Sequence, residues 1–345
     1  MSSSLEILFL SQQDIIDCGG EDIGLAVNTM EKVFALHHEG DYVLPNKSVL
    51  RWGDLDSEST IGRINSMPAY IGGDFKAVGI KWIASSPKNP QVYGLPRANG
   101  LTVLNDPDTL IPISVMDGTL LSAMRTGANS GVAAKYLAKK DSKTIGLIGA
   151  GVQNRTQLLA LLEVMENIQT IKVCDLDAER ANKFAKEMSE MTGHLIQVVP
   201  NAEEAVRGSD IFVTATVTKK PIVKREWIEK GSLYLHVGSH ECEFDVIEEA
   251  DKVVVDDWEE LKHRGVETIS IMYAQGIYDG SKIHANLGEL VSGKKAGREN
   301  DNEIIYFNSV GLGIQDVALS SIIYKNALEK GIGTKLSLCD VPAFV

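Results

Sequence analysis

Cysteine is scarce in this chain and scattered where it occurs. The four cysteines among 345 residues, Cys18, Cys174, Cys242 and Cys339, form no CxxC pair and no Cys/His cluster, which indicates neither a structural metal site nor a disulfide framework. They are read as reduced thiols, Cys174 as core packing and Cys242 as a weak candidate nucleophile beside the residues of interest below. Positive charge is also short: 34 Lys and Arg against 47 Asp and Glu leave a formal net charge of −13. Nucleic-acid and anionic-membrane binding both need basic patches, so the balance argues against either partner. No apolar run approaches the roughly 18 residues that span a bilayer. The opening Met1-Ser-Ser-Ser-Leu-Glu lacks the basic-then-apolar pattern of a signal peptide, so the chain is expected in the cytoplasm.

What is present is an ordinary globular composition, 44% hydrophobic and 23% charged, on a chain long enough for two cores. The stretch Thr144-Ile-Gly-Leu-Ile-Gly-Ala-Gly-Val-Gln-Asn-Arg-Thr-Gln-Leu158 reads as a buried strand, a glycine turn and a helix start. Gly149 would allow the tight turn, and Gly151 the approach of a pyrophosphate to backbone N–H groups at the helix N-terminus, with Val152 and Gln153 following. The third glycine of the usual dinucleotide motif is absent, its place taken by Asn154, and a plain strand-to-helix turn is the competing reading. A second strand, Thr170 to Cys174, ends at Asp175, where such folds keep a ribose-binding acid. A carboxylate there favours NAD over NADP, and Asp175-Leu-Asp177-Ala-Glu179 supplies no arginine at the strand tip; alternatively Asp175 or Asp177 caps the helix beginning near Ala178.

Residues 1 to about 130 read as a mixed sheet with helices. Strands are expected at Ile7 to Leu10, Ile61 to Met67, Ala77 to Ile83, Gly100 to Asn105 and Pro112 to Met116. Helices are expected from Ser11, from Leu25 to His37, and, as one or two, over Gly118 to Ala138. From 143 to about 313 strands and helices alternate: Ala178 to Thr192 helix, Ile196 to Val199 strand, Asn201 to Gly208 helix, and strands at Asp210 to Val217, Leu233 to Gly238 and Lys252 to Asp256. That spacing indicates a doubly wound parallel sheet, whose ligands bind beyond the carboxyl ends of the strands. Gly149 to Gln153, Thr214 to Thr218 (with Thr214, Thr216 and Val217) and Gly238 to Glu241 therefore point at one crevice. Ser292 to Asn302 reads as a surface loop, and the long apolar helix after Gly313 is placed back against the first domain.

A nicotinamide enzyme acting on an amino or hydroxy acid holds the substrate carboxylate best with arginine or lysine. The first domain offers Lys47, Arg51, Arg63, Lys81 and Arg125, each of which could equally be a snorkelling surface cation. Lys81 stands out because it interrupts an apolar strand, where an ammonium is costly without a partner. For proton transfer, His240-Glu241 lies just past the strand ending at Gly238, with Glu243 and Asp245 as rivals.

Met67-Pro68 with Ile71-Gly-Gly73, Gly79-Ile-Lys81-Trp, Asn105-Asp-Pro-Asp108, Met124-Arg-Thr-Gly-Ala128, Gly149-Ala-Gly-Val-Gln153 and Val253-Val-Val-Asp-Asp257 together resemble the ornithine cyclodeaminase/μ-crystallin family over nearly the whole chain. GxGxQ is that family's usual form of the glycine motif. The resemblance implies a substrate-binding and dimerisation domain (1–130), a Rossmann NAD domain (131–313) and a C-terminal helix segment (314–345) that completes the first, in a homodimer. It implies substrate-carboxylate roles for Lys81 and Arg125, and a further basic residue after Pro45, which is Lys47 or Arg51. True ornithine cyclodeaminases carry a catalytic aspartate in a Gly-Gly-Asp-x-Pro-Gly-Lys-like segment, whereas this chain reads Gly238-Ser-His-Glu-Cys-Glu-Phe-Asp245. Aligned without a gap the aspartate falls at His240; aligned backward from Ala250-Asp-Lys252 it falls at Glu241, which is preferred. Val115-Met, Ser122-Ala-Met-Arg-Thr, Ala250 to Trp258 and Gly297 to Ile305 are similar to the branch that oxidises N-(2-amino-2-carboxyethyl)-L-glutamate to release 2,3-diaminopropionate in siderophore and antibiotic pathways.

Overall fold

The computed structural model describes residues 5–53 and 62–340. Residues 1–4, on which the absence of a leader was partly read, and Ile61, the first residue of one expected strand, lie outside them. The chain divides into two compact units, Met1–Arg125 with Leu312–Val345, and Thr126–Gly311.

The first unit runs β1 (Leu5–Leu10), α1 (Gln12–Asp17), α2 (Ile23–Glu39), β2 (Tyr42–Val43), β3 (Ser48–Trp52), β4 (Gly62–Ile71), β5 (Ala77–Ser85), β6 (Ala98–Asn105) and β7 (Pro112–Asp117), followed by α3 (Thr119–Leu137), a single helix within which the division falls. The second holds β8 (Thr144–Ile148), α4 (Val152–Val164), β9 (Thr170–Cys174), α5 (Ala178–Thr192), β10 (Ile196–Val198), α6 (Ala202–Val206), β11 (Ile211–Thr214), β12 (Leu233–His236), α7 (Asp245–Glu248), β13 (Lys252–Val255), α8 (Trp258–Lys262), α9 (Thr268–Ala274), β14 (Ala285–Asn286), α10 (Leu287–Val291) and β15 (Ile305–Asn308). The chain ends in α11 (Gly313–Lys330) and β16 (Thr334–Cys339), which belong to the first unit.

The first unit is a mixed sheet in the order β16-β1-β7-β6-β5-β4-β2, with β3 also paired to β4. Its alternation sets two cross-strand rows. Leu10, Met116, Thr102, Lys81 and Met67 stand in register on the buried face, against which α11 packs over β4, β5 and β6. Phe9, Val115, Val103, Ile80 and Pro68 stand on the other face and are only partly buried. The α1 start is the expected capping box, the Ser11 hydroxyl accepting from Asp14 N at 3.2 Å and Asp14 Oδ2 accepting from Ser11 N at 2.8 Å.

The second unit is an all-parallel sheet in the order β10-β9-β8-β11-β12-β15-β13-β14, the doubly wound arrangement expected from the sequence. Strand order reverses between β8 and β11, which makes the carboxyl ends of those strands the topological switch point. The strand expected over Asp210 to Val217 stops at Thr214, and that expected to Gly238 stops at His236, because Thr214, Thr216 and Gly238 turn to bond Glu241. The Ser292 to Asn302 segment is the expected surface loop, mostly exposed, and it is anchored: Arg298 donates to Leu137 O at 2.7 Å and to Glu303 O at 2.6 Å. Among the described residues no helix is long and apolar enough to cross a membrane.

Candidate active site

In the first unit Lys81 is 1% exposed at the middle of the buried row. An unpaired ammonium there would cost several kcal/mol, so a partner is required. Asp316, on the first turns of α11, supplies it: Lys81 Nζ lies 2.8 Å from Asp316 Oδ2 and donates to Ser122 Oγ at 3.2 Å. Arg125 of α3 donates from Nε to the other oxygen, Oδ1, at 3.1 Å, and from Nη1 to Gln315 Oε1 at 3.3 Å. Two buried cations thus share one carboxylate, which leaves the cluster one positive charge in excess. Burial, then the Arg125 charge, push Lys81 down to about 8 despite Asp316. Burial would raise Asp316, but Arg125 and Lys81 outweigh it and hold its carboxyl below the usual range. Thr102 Oγ1, on the residue paired with Lys81, is buried without a hydrogen-bond partner among the described residues. With both cations charged, such a cluster could pair with a further anionic group such as a carboxylate.

Lys47 and Arg51 are not partners of Asp316. Lys47 is half-buried in the connection between β2 and β3, and Arg51 is exposed on β3 opposite Arg63 of β4.

In the second unit the switch point is built around Gly149, whose φ of 98° belongs to glycine and where a Cβ would lie 2.9 Å from Ala215 O. Asn154 does the work of the missing third glycine differently: fully buried, it donates from Nδ2 to Ile148 O at 2.9 Å and Gly149 O at 2.5 Å, tying the helix to the turn. At Gly151 the backbone is ordinary and a Cβ would meet nothing within 4 Å, so the protein itself does not require glycine there. The missing side chain keeps open the space at the α4 N-terminus that a pyrophosphate would fill. Gln153 Oε1 beside it is buried without a partner among the described residues.

Asp175 accepts from Ala150 N at 2.7 Å and from Asp177 N at 3.0 Å, while Asp177 is the cap of α5, accepting from Glu179 N and Arg180 N. One sequence inference is corrected: an arginine does reach the strand tip. Arg180, one turn into α5, lies 4.0 Å from Asp175 and 3.8 Å from Asp177, but its side chain is 57% exposed and such a pair is weak. Val152, Leu176 and Val217 stand exposed at the ends of β8, β9 and β11, apolar surface suited to flat rings.

Glu241 is fully buried, and its carboxylate accepts from Thr214 Oγ1 (2.7 Å), Thr216 N and Oγ1 (2.6 Å each) and Gly238 N (2.8 Å), with His236 Nε2 at 3.3 Å. Burial would raise its pKa; the His236 ring and the two threonine hydroxyls outweigh burial and hold it low. It is therefore an ionised group with its acceptors occupied, poorly placed to take a proton from substrate. His240 is half-buried, stacked on Phe244 at 5.8 Å, with Nε2 lacking a partner among the described residues. Burial and then the His236 charge lower its pKa, so the ring is a neutral base. The geometry moves the preference within the pair from Glu241 to His240.

Sequence reasoning missed Asp316 and Gln315. The available signal was the polar pair Gln315-Asp316 in the otherwise apolar run Val310 to Leu319. It also missed Leu176 and the buried ring set behind Glu241.

The model of the ornithine cyclodeaminase/mu-crystallin family matches residues 21–331. The chain is 37% identical over 334 residues to N-((2S)-2-amino-2-carboxyethyl)-L-glutamate dehydrogenase of Staphylococcus aureus, covering 96% of this chain and 99% of that one. Among solved structures, the Delta(1)-pyrroline-2-carboxylate reductase of Thermococcus litoralis in complex with NADH and L-proline superposes with a TM-score of 0.87 at 38% identity, over 95% of this chain and 99% of that one. An archaeal alanine dehydrogenase dimer with bound NAD superposes at 0.88 and 38% identity, over 97% and 100%. With a Rossmann unit, a buried cationic cluster and likeness over almost its full length, the chain belongs to the ornithine cyclodeaminase/mu-crystallin family.

Proposed function

We propose that the protein is an NAD-dependent enzyme that oxidises a carbon–nitrogen bond of an amino-acid substrate and hydrolyses the resulting imine. The proposed substrate is N-(2-amino-2-carboxyethyl)-L-glutamate, and the products are 2-oxoglutarate and 2,3-diaminopropionate. The observation that carries the reading is the pair Lys81 and Arg125 on the single carboxylate of Asp316, a site one negative charge short.

The residues of the second unit suit NAD: the first turn of α4 and the open space at Gly151 for pyrophosphate, Asp175 for ribose hydroxyls, and Thr214, Thr216, Val217 and Gly238 along the far half. When bound, NAD accepts the hydride from the substrate carbon that bears nitrogen. Arg125 holds the substrate carboxylate and fixes that carbon. Neutral Lys81 takes the proton from the substrate nitrogen, and His240 takes one from the water that attacks the imine carbon. The carbon–nitrogen bond then breaks, leaving a keto acid and a free amine. The balance is substrate, water and NAD in; keto acid, amine, NADH and one proton out.

The protein is further proposed to act as a homodimer through the face of the first sheet opposite α11. The test of the reading is NADH formation from NAD with N-(2-amino-2-carboxyethyl)-L-glutamate, beside L-ornithine and L-alanine. NADH with the first alone supports it. Proline from ornithine without net NADH would make the protein a cyclodeaminase instead, and NADH with alanine a simple amino-acid dehydrogenase.

A further inference from the structure

In the second unit one buried carboxylate collects four hydrogen bonds from two different loops. Thr214 ends β11 and Thr216 follows it, Gly238 follows β12, and Glu241 accepts from all three within 2.6–2.8 Å. The position of Gly238 is fitted to it: a Cβ there would lie 2.4 Å from the Glu241 carboxylate. Behind the carboxylate the side chains of three neighbouring strands are linked. Tyr234 Oη meets Thr214 Oγ1 at 2.8 Å, His236 Nδ1 meets Tyr306 Oη at 2.5 Å, and all four residues are 0–1% exposed. An ionised group this far from solvent is costly unless fully bonded, and nothing in the packing of the sheet calls for one. What it does accomplish is to fix the two loops at the carboxyl ends of β11 and β12, the half of a doubly wound sheet that faces the nicotinamide, while the Gly149 loop and Asp175 face the other half.

We infer that Glu241 is the positioning residue for the nicotinamide half of the dinucleotide site: it does not touch the reacting atoms but sets the Thr214–Thr216 and Gly238 loops against which the ring is held. The inference rests on the NAD reading above and deepens it.

The experiment measures binding of NADH and of ADP-ribose, which lacks the nicotinamide, to the full chain by calorimetry, with thermal unfolding in parallel. Glu241→Gln replaces one acceptor oxygen by an amide that faces a donor, which releases one loop. NADH affinity is expected to fall roughly tenfold or more, while ADP-ribose affinity stays within about twofold. Gly238→Ala keeps the carboxylate but displaces it, and gives the same split, so the test survives if the glutamine variant does not fold. Parallel loss of both ligands in the folded variants, or no change in either, overturns the inference. Failure of the unaltered protein to bind ADP-ribose would overturn the dinucleotide reading and this inference with it.

Discussion

Lys81 is the residue on which the proposed chemistry turns. Its Nζ is buried between Asp316 and Ser122, and burial with the Arg125 charge brings it to about 8, well below an ordinary lysine. In the proposed mechanism the protonated form would attract a carboxylate and the neutral form would accept a proton. Because the shift is downward, the neutral fraction grows as pH rises through about 8. If neutral Lys81 is the base, kcat/KM should climb with pH and level off above that value, since this ratio reports the free enzyme. Lys81→Met should lower kcat by about 10²–10⁴-fold and abolish the limb; a limb left in place would assign the proton to another group. Stability follows the same sign: above about 8 the unfolded chain still binds the proton that folded Lys81 has lost, so this residue's contribution to stability rises with pH up to the ordinary lysine range. Asp175 tests the cofactor. Replacing it with serine removes a carboxylate that repels a ribose phosphate, and kcat/KM for NAD should fall roughly ten- to hundredfold, the worth of charged hydrogen bonds, while that for NADP rises or holds. Equal loss with both cofactors would deny Asp175 a ribose role.

At the scale of elements, the turn from β8 into α4 shows how far local pattern carries. Asn154 ties the strand end to the helix through two carbonyls, so restoring the more familiar glycine should harm the protein. Asn154→Gly is expected to cost about 1–3 kcal/mol from lost buried hydrogen bonds and added backbone freedom, seen as a lower Tm; an unchanged Tm would mean the side chain is idle. β9 and α5 were legible to the residue, because a clean apolar run and a cap at Asp177 with Gly193 closing the helix leave little ambiguity. β15 was missed: four buried residues without alternation carry no period, and its place between β12 and β13 is set by distant parts of the chain. The same limit hid Asp316. Lys81 and Arg125 were visible as cations in apolar surroundings, but their shared carboxylate lies 191 residues beyond Arg125, and only the packing of α11 on β5 brings it to them. At Glu241 the sequence singled out the loop after β12 yet could not say which of two adjacent side chains turns inward.

At the scale of the whole molecule, the first sheet leaves an unusual surface. Phe9, Val115, Val103, Ile80 and Pro68 cross five strands in register on the face opposite α11, with Trp82 and Leu101 exposed beside them. Contiguous apolar surface of this kind marks an interface, and the proposed homodimer would use it. Val103→Asp, which buries a carboxylate if two copies meet there, should convert a dimer to a monomer in sedimentation equilibrium with little change in helical content. An unaltered mass would place the interface elsewhere. The central claim, however, is that this architecture removes hydride from one particular carbon. Its most direct test uses N-(2-amino-2-carboxyethyl)-L-glutamate deuterated at the glutamyl carbon that bears the bridging nitrogen, with NAD, and mass analysis of every product. The account predicts that the deuterium appears in the reduced cofactor, beside unlabelled 2-oxoglutarate and 2,3-diaminopropionate. Deuterium retained in an organic product, or no reduced cofactor at all, would contradict it.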